Sequence, residues 1–238
     1  MTKEITEDLI KEKTLLECLE AFQGAEGTTD KEREKSLEPV FKLLAKKFIY
    51  GGYLKVGNDY KVFLKTVEFY YHEEEGPVKD NYVYHRNGKF KSSRSEDGHD
   101  RTVPYFPLMT LHSHWSGFDI TFENPKKKYR ASVLIREYAI YDEKERKYVY
   151  WDTKKKEFNY TLDDKPLKDN RSSYLIYYLN GFTIQKGQKT RVEWEDTMPK
   201  KYGDVDSKTR KGIKWRDPET EKEEDRTKDE RKWAFYEK

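Results

Sequence analysis

Residues 66 to 73 read Thr-Val-Glu-Phe-Tyr-Tyr-His-Glu, a run of β-branched and aromatic side chains with one carboxylate, Glu68, set inside it. Such residues favour a pleated strand, so the chain is committed to a sheet here. Side chains along a strand face alternate ways, which puts Glu68 and Tyr70 on one face and Val67, Phe69 and Tyr71 on the other. An outward Glu on a half-buried strand is the ordinary outcome. A buried one would need a chemical reason.

The rest of the composition bears on whether such a strand has a core to join. Charged residues make up 39% of the chain and hydrophobic ones only 34%, a balance that suggests disorder when aromatics are scarce. They are abundant, with 19 Tyr, 12 Phe and 5 Trp, so a core built from large rings is expected. The length of 238 residues suits one large domain. A net charge of +3 hides local segregation: Lys126 to Lys128, Lys154 to Lys156 and the pair Lys200 and Lys201 are basic, while Glu221 to Asp225 is mostly acidic. Short basic clusters beside aromatics permit a nucleic-acid partner without requiring one.

Cys18 is the only cysteine, which excludes an intramolecular disulfide and a multi-thiolate metal site. The opening Met-Thr-Lys-Glu-Ile-Thr-Glu-Asp lacks the apolar centre of a signal peptide, and no apolar stretch approaches the roughly 18 residues of a membrane span. A cytoplasmic protein with no membrane partner is expected.

Helical spacing of Ile5, Leu9, Leu16, Leu19 and Phe22 predicts a helix over residues 3 to 23, followed by a linker. Ser36, Glu38 and Pro39 ahead of Val40, Phe41, Leu43, Leu44 and Phe48 predict a second helix, ending near Gly51 and Gly52. Strands are predicted around 53–56 and 60–72 about a Gly57-Asn58 turn, then at 107–112, 117–123 and 131–140, with a hairpin over residues 147–160. Residues 86–102 are polar and lack aliphatic side chains, which predicts a long loop. A further helix is expected from Ser172 to Leu179, ended by Asn180-Gly181.

The five histidines, His72, His85, His99, His112 and His114, fall within 43 residues. His112 and His114 would share a strand face, and with Asp119 or Glu123 nearby they fit a metal-dependent β-barrel enzyme. A later glycine-rich turn with a third histidine, which such a site would use, does not follow His114.

The order of several segments carries a resemblance. Leu43-Leu44-Ala45-Lys46 precedes the Thr66–Tyr71 strand, then come His85, the stretch FPLMTLHSHWSGFDITFE and the stretch RASVLIREYAIYD. Later stand SSYLIYYLNGFTI, TRKGIKW and KWAFYEK. From about residue 36 onward this succession resembles the 3-methyladenine, or alkyladenine, DNA glycosylase family. That family has a LLGK helix end, a VETEAY strand, a loop histidine, a strand bearing an Asn, and an AVLIRALEP strand. VLIR is the most specific match, and collinearity carries the rest.

The resemblance implies a single compact α+β domain over residues 31–238, with a curved, mainly antiparallel sheet flanked by helices, like the C-terminal domain of formyltransferases. Residues 1–30 would form an N-terminal helical extension. It implies a monofunctional, cofactor-free and metal-free hydrolase of DNA repair, monomeric and acting on double-stranded DNA. Such an enzyme flips a damaged or modified purine and cuts its N-glycosidic bond with a carboxylate-activated water. Glu68 falls at the family's catalytic glutamate and Tyr70 where an aromatic stacks on the flipped base. His85 falls at a base-contacting histidine and Arg136 at the arginine of the LIR strand. Asp119 falls where the family has a pocket Asn, and Met109 to His114, including His112, would supply the side chain that fills the vacated duplex.

The residue types suit that chemistry. Breaking an N-glycosidic bond builds positive charge on the sugar, which a carboxylate both offsets and relieves by drawing a proton from water. The flipped base needs aromatic walls to recover lost stacking. Three departures stand out: Asp119 replaces Asn, Phe69 replaces the alanine between Glu and Tyr, and KSSRSEDGHDRTVPYF lacks the family's TPRN and glycine-rich runs. A non-catalytic nucleic-acid-binding relative is therefore the alternative.

Overall fold

A computed structural model describes residues 5–56, 58–80, 82–90, 99–114, 117–152, 154–163, 165–166, 189–191, 193–210 and 231–238. The chain is a compact α+β fold with a curled antiparallel sheet, close to half a barrel, and few helices. The elements are α1 (Glu7–Glu12), α2 (Leu15–Ala21), α3 (Asp30–Tyr50), β1 (Gly52–Val56), β2 (Tyr60–Glu73), β3 (Gly88–Phe90), β4 (His99–Arg101) and β5 (Thr110–His114). They continue with β6 (Gly117–Thr121), β7 (Tyr129–Asp142), β8 (Lys147–Asp152), β9 (Glu157–Tyr160), β10 (Lys189–Arg191), β11 (Trp194–Asp196), β12 (Val205–Lys208) and β13 (Ala234–Glu237).

The central pair is β2 and β7, 14 residues each and antiparallel along their whole length. Strand order across the sheet is β10-β5-β6-β7-β2-β1-β11. β1 pairs with the first residues of β2, and β13 pairs with Thr66 to Glu68 beyond it. The register shifts between Leu64 and Val67, at the place where β2 changes neighbours, and such a bulge bends a strand and increases its twist. β8 and β9 extend the far end of β7 as a hairpin, and β3 with β4 forms a separate ribbon.

One face of the sheet is covered by helices. In α3, Leu37, Phe41, Leu44, Ala45 and Phe48 are all fully buried, at the spacing of a single helical stripe. They meet Val67, Phe69 and Tyr71, with the Phe41 and Phe69 rings stacked at 4.5 Å between centroids. Phe22, arriving from α2, packs its ring against Phe41, Tyr71, Phe122 and Tyr129. Tyr71 is tied in further, its hydroxyl accepting from the Ala25 N–H at 3.0 Å and donating to Glu73 at 2.9 Å.

Several elements differ from the sequence reading. The single N-terminal helix is two short ones, because Thr14 caps α2 in a box with Glu17 and leaves Lys13 extended. Ile10, Leu15, Cys18, Leu19 and Phe22 are buried in the same core as the sheet. α3 starts at Asp30 rather than at Ser36, since Thr29 and Glu32 form a capping box, and the helix runs through Pro39. Its C-cap is Gly51, and a Cβ at Gly52 would collide with the Glu195 carbonyl oxygen of β11. Part of the predicted loop at 86–102 pairs as β3 and β4. The helix expected at residues 172–179 lies outside the described residues.

No helix among the described residues is long and apolar enough to cross a membrane.

Candidate functional site

The pairing register converts strand alternation into rows. On the helix-covered face, Leu111, Ile120, Val133 and Phe69 stand opposite one another across β5, β6, β7 and β2. One residue along, the other face carries His112, Asp119, Leu134 and Glu68 in a row. Beside it run Thr110, Thr121, Ser132 and Tyr70, and then Arg130 opposite His72. This second face is also buried: Glu68, Asp119, Arg130 and Ser132 are each no more than 3% exposed. Charged side chains withdrawn from water are costly unless paired and hydrogen-bonded, so the partners of each define what the face can do.

Glu68 has two. The Arg136 guanidinium reaches its Oε2 through Nη2 at 2.7 Å, and the Tyr70 hydroxyl donates to the same oxygen at 3.0 Å. Arg136 stands two residues beyond Leu134, the residue facing Glu68. Burial works against the Arg136 charge, but Glu68 and Tyr70 more than offset it and its pKa rises. Burial, then the Glu68 charge, lifts the Tyr70 phenol well above its ordinary value, while Arg210 and Arg136 act the other way. Tyr70 is therefore a neutral donor to the carboxylate that the Arg136 guanidinium also meets.

His85 belongs to a neighbouring network. Its Nδ1 faces Glu123 Oε1, and both side chains are fully buried. Glu123 Oε2 accepts from the Phe106 N–H at 2.7 Å and from Arg130 Nη1 at 3.3 Å. Arg130 also donates to the carbonyls of Val103 and Pro104 and pairs with Glu74 at 2.6 Å, so it fastens residues 103–106 over the sheet. The His85 ring stacks on Phe106 at 5.5 Å and meets the His112 edge at 5.8 Å. His85 Nε2 and Ser132 Oγ are buried and have no hydrogen-bond partner among the described residues.

A third network closes the face near Tyr70. Asp80 is fully buried and ion-paired with Arg210 at 2.5 Å, and its backbone N–H donates to His72 Nδ1 at 3.1 Å. Burial alone would raise the Asp80 carboxyl, but Arg210 and Arg231 reverse that and hold it below the usual range. Burial, with Lys79 and Arg86 adding to it, pushes His72 down to about 4.

The sequence candidates separate accordingly. Glu68, Tyr70 and Arg136 touch, and His85 touches His112. Asp119 stands between the two groups, about 10 Å from Glu68 at the backbone by the usual strand spacing of about 4.8 Å. Met109 is a correction: it is 4% exposed and packed in the helix-side core with Leu111, so it has no surface from which to enter a duplex. The side chain of His114 lies outside the described residues. No group of three or more His, Cys, Asp or Glu among the described residues is arranged to hold a metal ion.

Of Glu123, Arg130, Asp80 and Arg210, sequence reasoning named only Glu123, as a metal-site neighbour of His112 and His114. For the first two a signal existed, because Glu123 has the parity of Asp119, and Arg130 that of Arg136. Asp80 and Arg210 lie outside the strands and gave none.

No family model, no curated protein and no solved structure matches this chain. Fold and site define a compact α+β protein whose curled sheet has one apolar, helix-covered face and one buried face of paired acids, guanidinium groups and histidines.

Proposed function

We propose that this protein is a monofunctional N-glycosylase that takes a damaged or modified purine out of duplex DNA and hydrolyses its N-glycosidic bond on the Glu68 face. One observation carries the reading: Glu68 is 1% exposed and still held by a guanidinium and a phenol. A carboxylate so placed acts as base and as counter-charge. It draws a proton from a water attacking the sugar carbon, the carbon–nitrogen bond breaks, and the heterocycle leaves with its electron pair. Arg136 pairs with the Glu68 carboxylate and Tyr70 fixes its orientation. Asp119, His112 and His85 continue the same face and are assigned to the base. On this reading the curled sheet is a distant version of the formyltransferase C-terminal fold, and the protein works as a cytoplasmic monomer.

The test is base release from duplexes carrying single alkylated or deaminated purines, under single-turnover conditions. Glu68→Gln is expected to lower the rate by about 10³-fold, within the 10²–10⁴ range of a lost general base. A wild-type protein that leaves the whole panel intact ends the proposal.

The alternative of a nucleic-acid-binding relative without turnover is favoured by one contact. The Arg210 guanidinium lies 4.5 Å from the Tyr70 ring centroid, on a ring the resemblance assigns to base stacking. That reading requires duplex binding of equal strength in wild type and Glu68→Gln, with no base released by either.

A further inference from the structure

Arg210 lies two residues beyond β12 and its side chain is fully buried. Nη1 donates to Asp80 Oδ2 at 2.5 Å and to the Phe69 carbonyl at 3.2 Å. The flat guanidinium sits over Tyr70, and 5.3 Å from the centroid of Trp233. Asp80 is itself fixed, accepting from the Tyr82 N–H at 3.1 Å and facing Arg231 at 3.9 Å. Arg231 in turn lies over Trp233 at 4.8 Å. A buried ion pair is often no more stabilising than apolar side chains of the same volume, so stability alone gives little reason for this one. Its geometry gives another. The planar guanidinium is held through Nη1 by a carboxylate and a backbone carbonyl, and a desolvated cation is attracted to the aromatic face beneath it. Tyr70 therefore cannot tilt without leaving that cation, and its hydroxyl is the group that donates to Glu68.

We propose that Asp80 and Arg210 are positioning residues, which set the Tyr70 ring and through its hydroxyl the orientation of Glu68. The proposal rests on Glu68 as the reacting carboxylate. The connected series Asp80, Arg210, Tyr70, Glu68, Arg136 links the segment after β2 and the segment after β12 to two neighbouring strands. No member of the series before Glu68 needs to touch the substrate.

The experiment is a double-mutant cycle on the full chain. Arg210→Met is expected to lower kcat about tenfold with KM changed less than about twofold, the pattern of lost transition-state alignment. In a Tyr70→Phe background the same substitution should change kcat by less than about twofold, because the hydroxyl it acts through is gone. Arg210→Lys keeps a cation at the ring and should lose less than Arg210→Met. Equal tenfold losses in both backgrounds, or equal losses from Lys and Met, overturn the proposal.

A second readout needs no turnover and covers failure of Arg210→Met to fold. With ring-labelled tyrosine, the Tyr70 carbon resonance is assigned by its absence in Tyr70→Phe. It should shift in Arg210→Lys and in Glu68→Gln, and an unmoved resonance in either overturns the proposal. Shifts in both, beside a wild type that releases no base, would sink the glycosylase reading and leave the coupling of Arg210 to Glu68 standing.

Discussion

β2 and β7 present two unlike surfaces made from alternate residues of the same strands. On one, the Phe69 ring packs in an apolar cluster with Phe41, Val133 and Phe235. On the other, Tyr70 meets Glu68 and Arg210, with Ser132 facing it across the strands. Both surfaces are buried, so burial alone does not distinguish them. The first removes ring and aliphatic area from water and needs no partner geometry. The second gains little from burial and keeps its charges only through specific pairs. A face whose pairs cost as much as they return is the place to look for chemistry, and the opposite face is what keeps it rigid.

Substitutions can break that contrast. Phe69→Ala should cost about 3–5 kcal/mol by denaturant unfolding, the range for a large buried ring. Tyr70→Phe, one position along, should cost about 1.5–3 kcal/mol, the range for a hydrogen bond to a charged group. Similar costs at both positions would erase the distinction between the faces.

The next effect is pH-dependent. His72 is on the polar face, and burial with help from Lys79 and Arg86 holds it at about 4 against 6.5 for a free histidine. A group neutral when folded and protonated at 6.5 when unfolded contributes fully above pH 6.5. That contribution drains away as the pH falls toward 4 and declines no further below it. Unfolding free energy should therefore drop by about 3 kcal/mol across this window, at about 1.36 kcal/mol per pKa unit. His72→Gln should flatten the slope, and an unchanged slope would remove His72 from the account.

Two smaller effects sharpen the comparison. Thr29→Ala removes the α3 cap and should cost about 1 kcal/mol. Ser132→Ala deletes a buried hydroxyl that lacks a partner among the described residues. It should leave stability level or raise it by up to about 1 kcal/mol. A clear loss would show that the hydroxyl is already satisfied.

The strands were the most legible part of the chain. The runs at 60–72 and 131–140 and the hairpin at 147–160 became β2, β7 and β8–β9 with ends moved by one or two residues. Period-two burial and turn residues are local properties, and local order follows them. The start of α3 was misread because Ser36 and Pro39 suggested a first turn, while the Thr29 and Glu32 box, which starts the helix six residues earlier at Asp30, is an equally local signal that governed. In the site, Glu68, Tyr70 and Arg136 were legible as a group, whereas Met109 was not placed. Its position depends on which face of the sheet α3 covers, and that is no property of residues 107–114.

By itself the sequence determined a sheet-forming chain with an aromatic core, and it put Glu68 and Tyr70 on the opposite side of their strand from Phe69. Alternation along a pleated strand needs no partner, so one dimension suffices for it. Only the folded chain decided that the Glu68 side is also closed from water, that Arg136 rather than solvent meets its charge, and that Arg210, some 140 residues away, lies over Tyr70. Those contacts form when distant segments close on one sheet face, and the charge of a side chain gives no clue to which opposite charge will be within reach.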